Sequence, residues 1–211
     1  DVIEEIDWSV GEILRSLKAL NIDRNTYVIF TSDNGPWLLF GDHAGSAKPL
    51  RGGKGTTFEG GMRAMTMFSG PGIEPGTVSG IGVQTDLFST LASLANITVE
   101  PRPKDSFDLS ATLRNGEKSP RDFVPFFLGS ELQAFRVNDH KIHFITQGAY
   151  GMPPKKRIHT APLVIDLVND VGEIRDISTE NEDLTAELIK RALRFKKSLE
   201  TVPSILDTQF Q

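Results

Sequence analysis

Five residues of this 211-residue chain have types and positions that could do chemistry: Asp33, Asn34, His43, Lys54 and His159. Asp33 and Asn34 are consecutive and offer a carboxylate and an amide carbonyl, hard oxygen donors suited to Ca²⁺ or Mg²⁺ rather than to thiolate-preferring metals. Followed by Gly35, the same pair is also a strong turn signal, so a plain turn is the competing reading. Lys54 stands among Gly52, Gly53, Gly55, Gly60 and Gly61. So many glycines cost chain entropy unless the backbone must turn sharply or approach something closely. Lys54 is then a point charge on a close-approach loop, fit to hold an anion. The pattern is not a Walker loop, because Lys48 stands where its first glycine belongs and Gly55 where Ser or Thr should follow the lysine.

His43 lies in Gly41-Asp42-His43-Ala44-Gly45, between the oxygen pair and the lysine. There it could contact substrate, shuttle a proton, or simply bond within its own loop. His159, beside Lys155-Lys156-Arg157, is a candidate for a substrate rim, whereas His140 and His143 flank a strand-like run and read as structural. Lys48, Arg51 and Arg63 surround Lys54 in sequence and make either an anion-binding cluster or a solvated charged face. Trp37 to Phe40 is a short apolar patch that reads as core or as a lip touching substrate.

The elements that must position these groups follow from periodicity. Ile3, Ile6, Val10, Ile13, Leu14, Leu17 and Leu20 recur at helical spacing, so the first twenty residues form an amphipathic helix expected to pack on a sheet, with Asn21 as its stop. Tyr27 to Phe30 is a β-rich run that ends at Asp33, putting the oxygen pair at the carboxyl end of a strand, where open α/β sheets bind ligands. Ala64 to Ser69 reads as a second strand, and Thr85 or Asp86 caps a helix holding Leu87, Phe88, Leu91 and Leu94. Residues 104–120, rich in Ser, Gly, Asn and charge, read as a connecting loop with a domain boundary near Ser119-Pro120.

Beyond it, FVPFFLG, QAFRVND, KIHFITQ and PLVIDLV are short β-rich runs parted by turn residues, the pattern of an antiparallel sheet, with Asn138-Asp139 as a hairpin turn. Asn181 or Ser178 caps a last helix whose acids lead and whose bases trail.

With 38% hydrophobic and 24% charged residues the composition is that of globular material. The net charge of −5 argues against nucleic acid as a partner, so an anionic ligand must be met by a local cluster. No apolar run approaches the ~18 residues of a membrane span. The absence of cysteine excludes disulfides, thiolate metal sites and cysteine nucleophiles within these residues.

The stretches FTSDNGP and PLRGGKGTTFEGGMR, in that order, resemble the second half of a type I sulfatase, of the arylsulfatase and N-acetylgalactosamine-sulfatase kind within the alkaline-phosphatase-like superfamily. The likeness continues through SGPGIEPG, TDLFSTLASLA, Phe107 to Ser110, Lys141 to Gly148 and APLVIDL, with Ser106 standing where the family often has Gly. The resemblance implies that Asp33 and Asn34 bind calcium and that Lys54 holds the substrate sulfate. It implies an α/β fold: residues 1–119 as the second half of an alkaline-phosphatase-like sheet domain, and 120–211 as a small antiparallel sheet with a C-terminal helix. It further implies a sulfated small molecule or glycan as substrate, and a periplasmic, secreted or lysosomal setting.

Sulfatases take their nucleophile from a Cys or Ser in a C/S-x-P-x-R motif that becomes formylglycine, and no such motif occurs here. An early Asp-Asp pair that completes the calcium site is also lacking, and the chain opens at Asp1 inside a helical pattern. The expectation is therefore a fragment: inactive by itself, binding calcium weakly, and open to self-association through a sheet edge. Two rivals remain, a phosphatase or phosphonate hydrolase of the same superfamily and a module that only binds sulfated glycans.

Overall fold

The computed structural model describes residues 2–101 and 105–199. In chain order its elements are α1 (Val2–Ala19), β1 (Val28–Thr31), α2 (Glu59–Met62), β2 (Thr66–Ser69), α3 (Asp86–Leu94), α4 (Ser110–Asn115), β3 (Phe123–Leu128), β4 (Glu131–Val137), β5 (His140–Thr146), β6 (Arg157–Asp166) and α5 (Glu182–Ser198). They fall into two compact units, one built from residues up to Asp33 with Ala64–Asp122, the other from Asn34–Arg63 with Phe123 onward.

In the first unit β1 pairs antiparallel with β2, from Val28↔Ser69 to Thr31↔Thr66. Helix α1 ends where Asn21 takes a left-handed φ of 55° and the Ile22 amide donates to the Leu17 carbonyl, the chain reversal that asparagine tolerates better than other side chains. The helix itself matches its periodicity, but the expected packing of its apolar stripe does not occur, for none of its residues is buried. Val10 and Leu17 of that stripe are half-buried, while Ile3 and Trp8 are 77% and 61% exposed. Asp86 does not act as a side-chain cap for α3. Its carboxylate accepts from the Val83 and Phe107 amides and forms a buried two-point ion pair with Arg121, at 2.7 Å to Nε and 2.6 Å to Nη2. That arrangement satisfies a charge which would otherwise be costly to bury. Part of the expected loop 104–120 is helical instead: α4 docks on α3, with Ser93 and Ser110 hydroxyls 3.0 Å apart.

The second unit is a four-stranded antiparallel sheet in the order β3-β4-β5-β6. Its turn at Asn138-Asp139, with Val137 opposite His140 and Asn138 at φ 48°, is the tight hairpin expected from those residue types. One face carries Phe135, Val137, Ile142 and Val164 against Leu188 and Ala192 of α5. Asn181 caps α5 by accepting from the Leu184 amide. Alternation turns Lys141 and His143 to the opposite face. There the register skips Gln133 between Phe126↔Ala134 and Phe127↔Leu132, a bulge that re-aims its side chain toward the Thr57 hydroxyl, 3.3 Å away. What covers this second face is the glycine-rich segment around Lys54.

Candidate active site

The glycine-rich segment is folded on itself by backbone contacts too close for any side chain. The Gly60 amide donates to the Arg51 carbonyl at 2.7 Å, the Thr56 amide to Gly53 at 3.1 Å and the Gly61 amide to Phe58 at 2.9 Å. A Cβ on Gly60 would lie 2.4 Å from the Arg51 carbonyl oxygen, and one on Gly35 only 1.8 Å from the Gly60 oxygen. Two further hydrogen bonds pin the residues after the Asp33-Asn34 turn to this loop: the Lys54 amide to Pro36 at 2.9 Å and the Gly35 amide to Gly61 at 3.0 Å. The glycines thus serve close backbone approach, and they leave the Lys54 side chain half-buried with its ammonium 5.5 Å from the centre of the Trp37 ring.

Below the loop lies a buried ion network. Lys141 Nζ donates to the Thr57 carbonyl at 2.8 Å and to Glu59 Oε1 at 3.0 Å, and pairs with Glu173 Oε1 at 3.0 Å. Arg136 reaches Glu59 Oε2 at 3.0 Å, while Glu173 Oε2 accepts from the Glu59 amide at 2.6 Å. His143 Nε2 lies 2.8 Å from Glu173 Oε1. Burial is the main influence on both titrating groups. It lowers the His143 pKa below the ordinary value, against the pull of Glu173, so the ring is neutral and Nε2–H donates. In Glu173 burial alone would raise the value, but the His143 bond, the Lys141 charge and the Glu59 amide together hold it below the ordinary carboxylate range. Sheet and loop are therefore joined through the charges of Lys141, Glu59 and Glu173, all buried, where a missing partner is expensive.

Asp33 and Asn34 stand in the bend directly after β1, Asp33 exposed and Asn34 half-buried. His43 closes the short 3₁₀ turn Leu38–His43 and is exposed. His159 lies within β6, its Nε2 2.8 Å from the Thr146 hydroxyl, and burial with the Arg157 charge lowers its pKa. Among the described residues no hydrogen bond or ion pair joins either histidine to Lys54. Arg51 is not part of an open cationic cluster. Its guanidinium donates to the Glu173 carbonyl at 2.7 Å and lies 4.2 Å over the Phe58 ring. Among the described residues there is no group of three or more His, Cys, Asp or Glu arranged to hold a metal.

Two features of the site escape a reading by residue type. One is the buried lysine, hidden because lysine in a sequence signals surface. The other is Tyr150, which stacks near Trp37 with ring centres 5.3 Å apart and touches Gly55. Its only trace is the Tyr-Gly pair between Gln147 and Pro153, a turn signal with an unusual first residue.

Two family models match the chain: Sulfatase over residues 1–97 and the C-terminal region of aryl-sulfatase over residues 119–210. Arylsulfatase A of Bos taurus is 34% identical over 98% of this chain and 43% of the relative. N-acetylgalactosamine-6-sulfatase of Homo sapiens is 41% identical over 69% of this chain and 28% of the relative. The chain thus spans less than half the length of these relatives. A Pseudoalteromonas sp. sulfatase superposes with a TM-score of 0.82 at 29% identity, over 92% of this chain and 41% of that one. A Bacteroides thetaiotaomicron protein, from a genetic locus for the metabolism of multiple glycosaminoglycans, superposes with a TM-score of 0.78 at 27% identity, over 93% of this chain and 44% of that one. The sheets and helices described above are those of an alkaline-phosphatase-like sulfatase, and the chain belongs to the sulfatase family.

Proposed function

We propose that the intact protein hydrolyses sulfate monoesters of aryl or sugar alcohols. In it, Lys54 holds the sulfate, and Asp33 and Asn34 supply oxygen ligands to a calcium ion. The observation that carries this reading is the pinning of the lysine loop to Gly35 and Pro36 by the Gly35–Gly61 and Lys54–Pro36 hydrogen bonds. It brings the backbone of the anion-holding loop against residues that directly follow the oxygen pair. The donor set fits calcium in kind but not in number, since a carboxylate and an amide are two of the six to eight oxygens Ca²⁺ takes. The remaining ligands, and a formylglycine nucleophile, come from sequence outside residues 1–211. Bound calcium would supply a fixed positive charge beside the sulfate oxygens.

Within this reading residues 1–119 belong to the catalytic α/β domain, and 120–211 form the antiparallel subdomain. His43, exposed on its loop, and His159, half-buried in β6, are candidates for the substrate rim. The partly exposed apolar stripe of α1 and β1, paired with β2 alone among the described residues, are the surfaces through which isolated copies of this chain would self-associate. A phosphatase and a glycan-binding module are separated from the sulfatase by one assay. The purified intact protein should release sulfate from 4-nitrophenyl sulfate or a monosulfated sugar at least ~10²-fold faster than phosphate from the matching phosphate ester. Preference for the phosphate ester, or binding of sulfated sugar with no turnover, would overturn it.

A further inference from the structure

We infer that Trp37 and Tyr150 form a platform for the sugar ring of the substrate, so that the protein is built for sulfated pyranoses rather than for simple aryl sulfates. The proposal rests on the reading of Lys54 as the sulfate holder. It begins with a local conflict in the backbone. The Met152 amide donates to the Ala149 carbonyl at 2.9 Å, and the two central residues of that turn, Tyr150 and Gly151, have φ of 54° and 79°. This is the left-handed pair of a type I′ turn, whose first central position favours Asn, Asp or Gly. Tyrosine there is strained, and such outliers cluster where a side chain must be held at a chosen point.

The point is well defined. The Tyr150 ring packs on Gly55, the residue after Lys54, where a Cβ would lie 3.0 Å from its Cε2 and 2.8 Å from the Ala149 Cβ. Trp37 lies beside it at 5.3 Å and 45°, and Phe40 meets Trp37 edge-on at 4.9 Å. The Lys54 ammonium sits at the border of this surface, 5.5 Å from the Trp37 centroid. All three rings remain open to solvent, Tyr150 by 51% and Trp37 by 39%. Next to them an open surface depression of about 330 Å³ is lined by Gly55, Leu128, Gln147, Gly148, Tyr150 and Gly151 among others.

The choice between sugar and aryl group follows from the polar handles. Among the described residues neither the Tyr150 hydroxyl nor the Trp37 indole N–H has a hydrogen-bond partner, and Gln147, whose Oε1 accepts from Gln133 Nε2 at 3.4 Å, lines the same depression. An aryl ring would use only the apolar faces. A pyranose offers a C–H face to the rings and hydroxyls to the handles around them, which suits amphipathic aromatics.

The test uses the intact protein with a panel of monosulfated pyranoses, 4-nitrophenyl sulfate, and inorganic sulfate as a competitive inhibitor. Taking the pyranose turned over best, Trp37→Ala and Tyr150→Asn should each raise its KM about ten-fold. Inhibition by inorganic sulfate, which reports the lysine end alone, should stay within about two-fold. Asn suits the left-handed turn, so Tyr150→Asn is not expected to unfold the loop. Tyr150→Phe should raise the pyranose KM by a smaller factor and leave that of 4-nitrophenyl sulfate alone. If Lys54→Ala fails to weaken inorganic sulfate while the aromatic variants behave as stated, the sulfate assignment fails and the platform stands. Unchanged pyranose KM in both aromatic variants, an equal rise for the aryl ester, or turnover of the aryl ester with no pyranose turned over would each overturn the platform.

Discussion

Lys141 and Glu173 form an ion pair at 3.0 Å with neither side chain exposed to solvent, linking β5 to the loop after β6 directly beneath the glycine-lysine segment. Two charges removed from water together are rarely a source of net stability, but one of them left alone is a large penalty. Glu173→Ala in the intact protein should therefore lower stability by about 3–5 kcal/mol. Lys141→Met combined with Glu173→Gln should cost less than the two single changes added together, because each removes the other's unpaired charge. Urea unfolding midpoints of Lys141→Met, Glu173→Gln and the double variant check the coupling, and strict additivity would mean that the pair is not coupled.

The same network sets a pH dependence. His143 has a folded pKa below its ordinary 6.5, so the unfolded chain takes up protons first as pH falls. Its contribution is complete above ~6.5 and is lost as pH drops toward the folded value. Glu173, also depressed from its ordinary 4.5, adds a second loss in the same direction at lower pH. Stability measured from pH 8 to ~4 should fall with acid, and His143→Gln should flatten the part of the curve that begins near 6.5. A stability that rises on acidification through this range would contradict the neutral buried ring.

Close backbone approach, rather than flexibility, is the reason for the glycines at the loop. Gly60→Ala sets a Cβ 2.4 Å from the Arg51 carbonyl oxygen and should lose at least ~2–3 kcal/mol or the folded protein altogether. Gly76 has nothing within 4 Å of an added Cβ, so Gly76→Ala should change stability by less than about 0.5 kcal/mol. Equal effects of the two changes, read from soluble yield and unfolding midpoint, would show that the loop relaxes freely.

For the oxygen pair, Asp33→Ala in the intact protein should abolish calcium occupancy and turnover together, since a carboxylate is the strongest of the donors this chain offers. Metal analysis showing full occupancy with near-normal turnover would assign the calcium to other residues.

The sequence carried the elements whose signals are local. Period-two runs parted by turn residues announced β3 to β6, Asn138-Asp139 announced their hairpin, and Asn181 with its trailing bases announced α5. The glycines around Lys54 announced a close approach, made to backbone nearby in the chain at Pro36, Arg51 and Phe58, but Arg136 and Lys141, the ion partners of Glu59, come from far along the chain and were not announced. Lys141 was illegible for a physical reason: only tertiary pairing can hold a lysine at 0% exposure. Helix α1 shows the opposite limit. Periodicity established the stripe, while whether anything covers it is a property of neighbours and not of the stripe. Tyr150 was hidden because its role opposes its local preference, the kind of conflict that marks a site.

If Lys54 holds the sulfate of a substrate hydrolysed by the intact protein, kcat/KM for a sulfate monoester must differ sharply between wild type and Lys54→Ala. A charge-assisted contact to the transferring group in a site poor in water predicts a loss of roughly 10²-fold or more. Lys54→Arg should not restore it, since the larger planar fork cannot replace a compact ammonium. Wild-type-like kinetics in either variant would place the sulfate elsewhere.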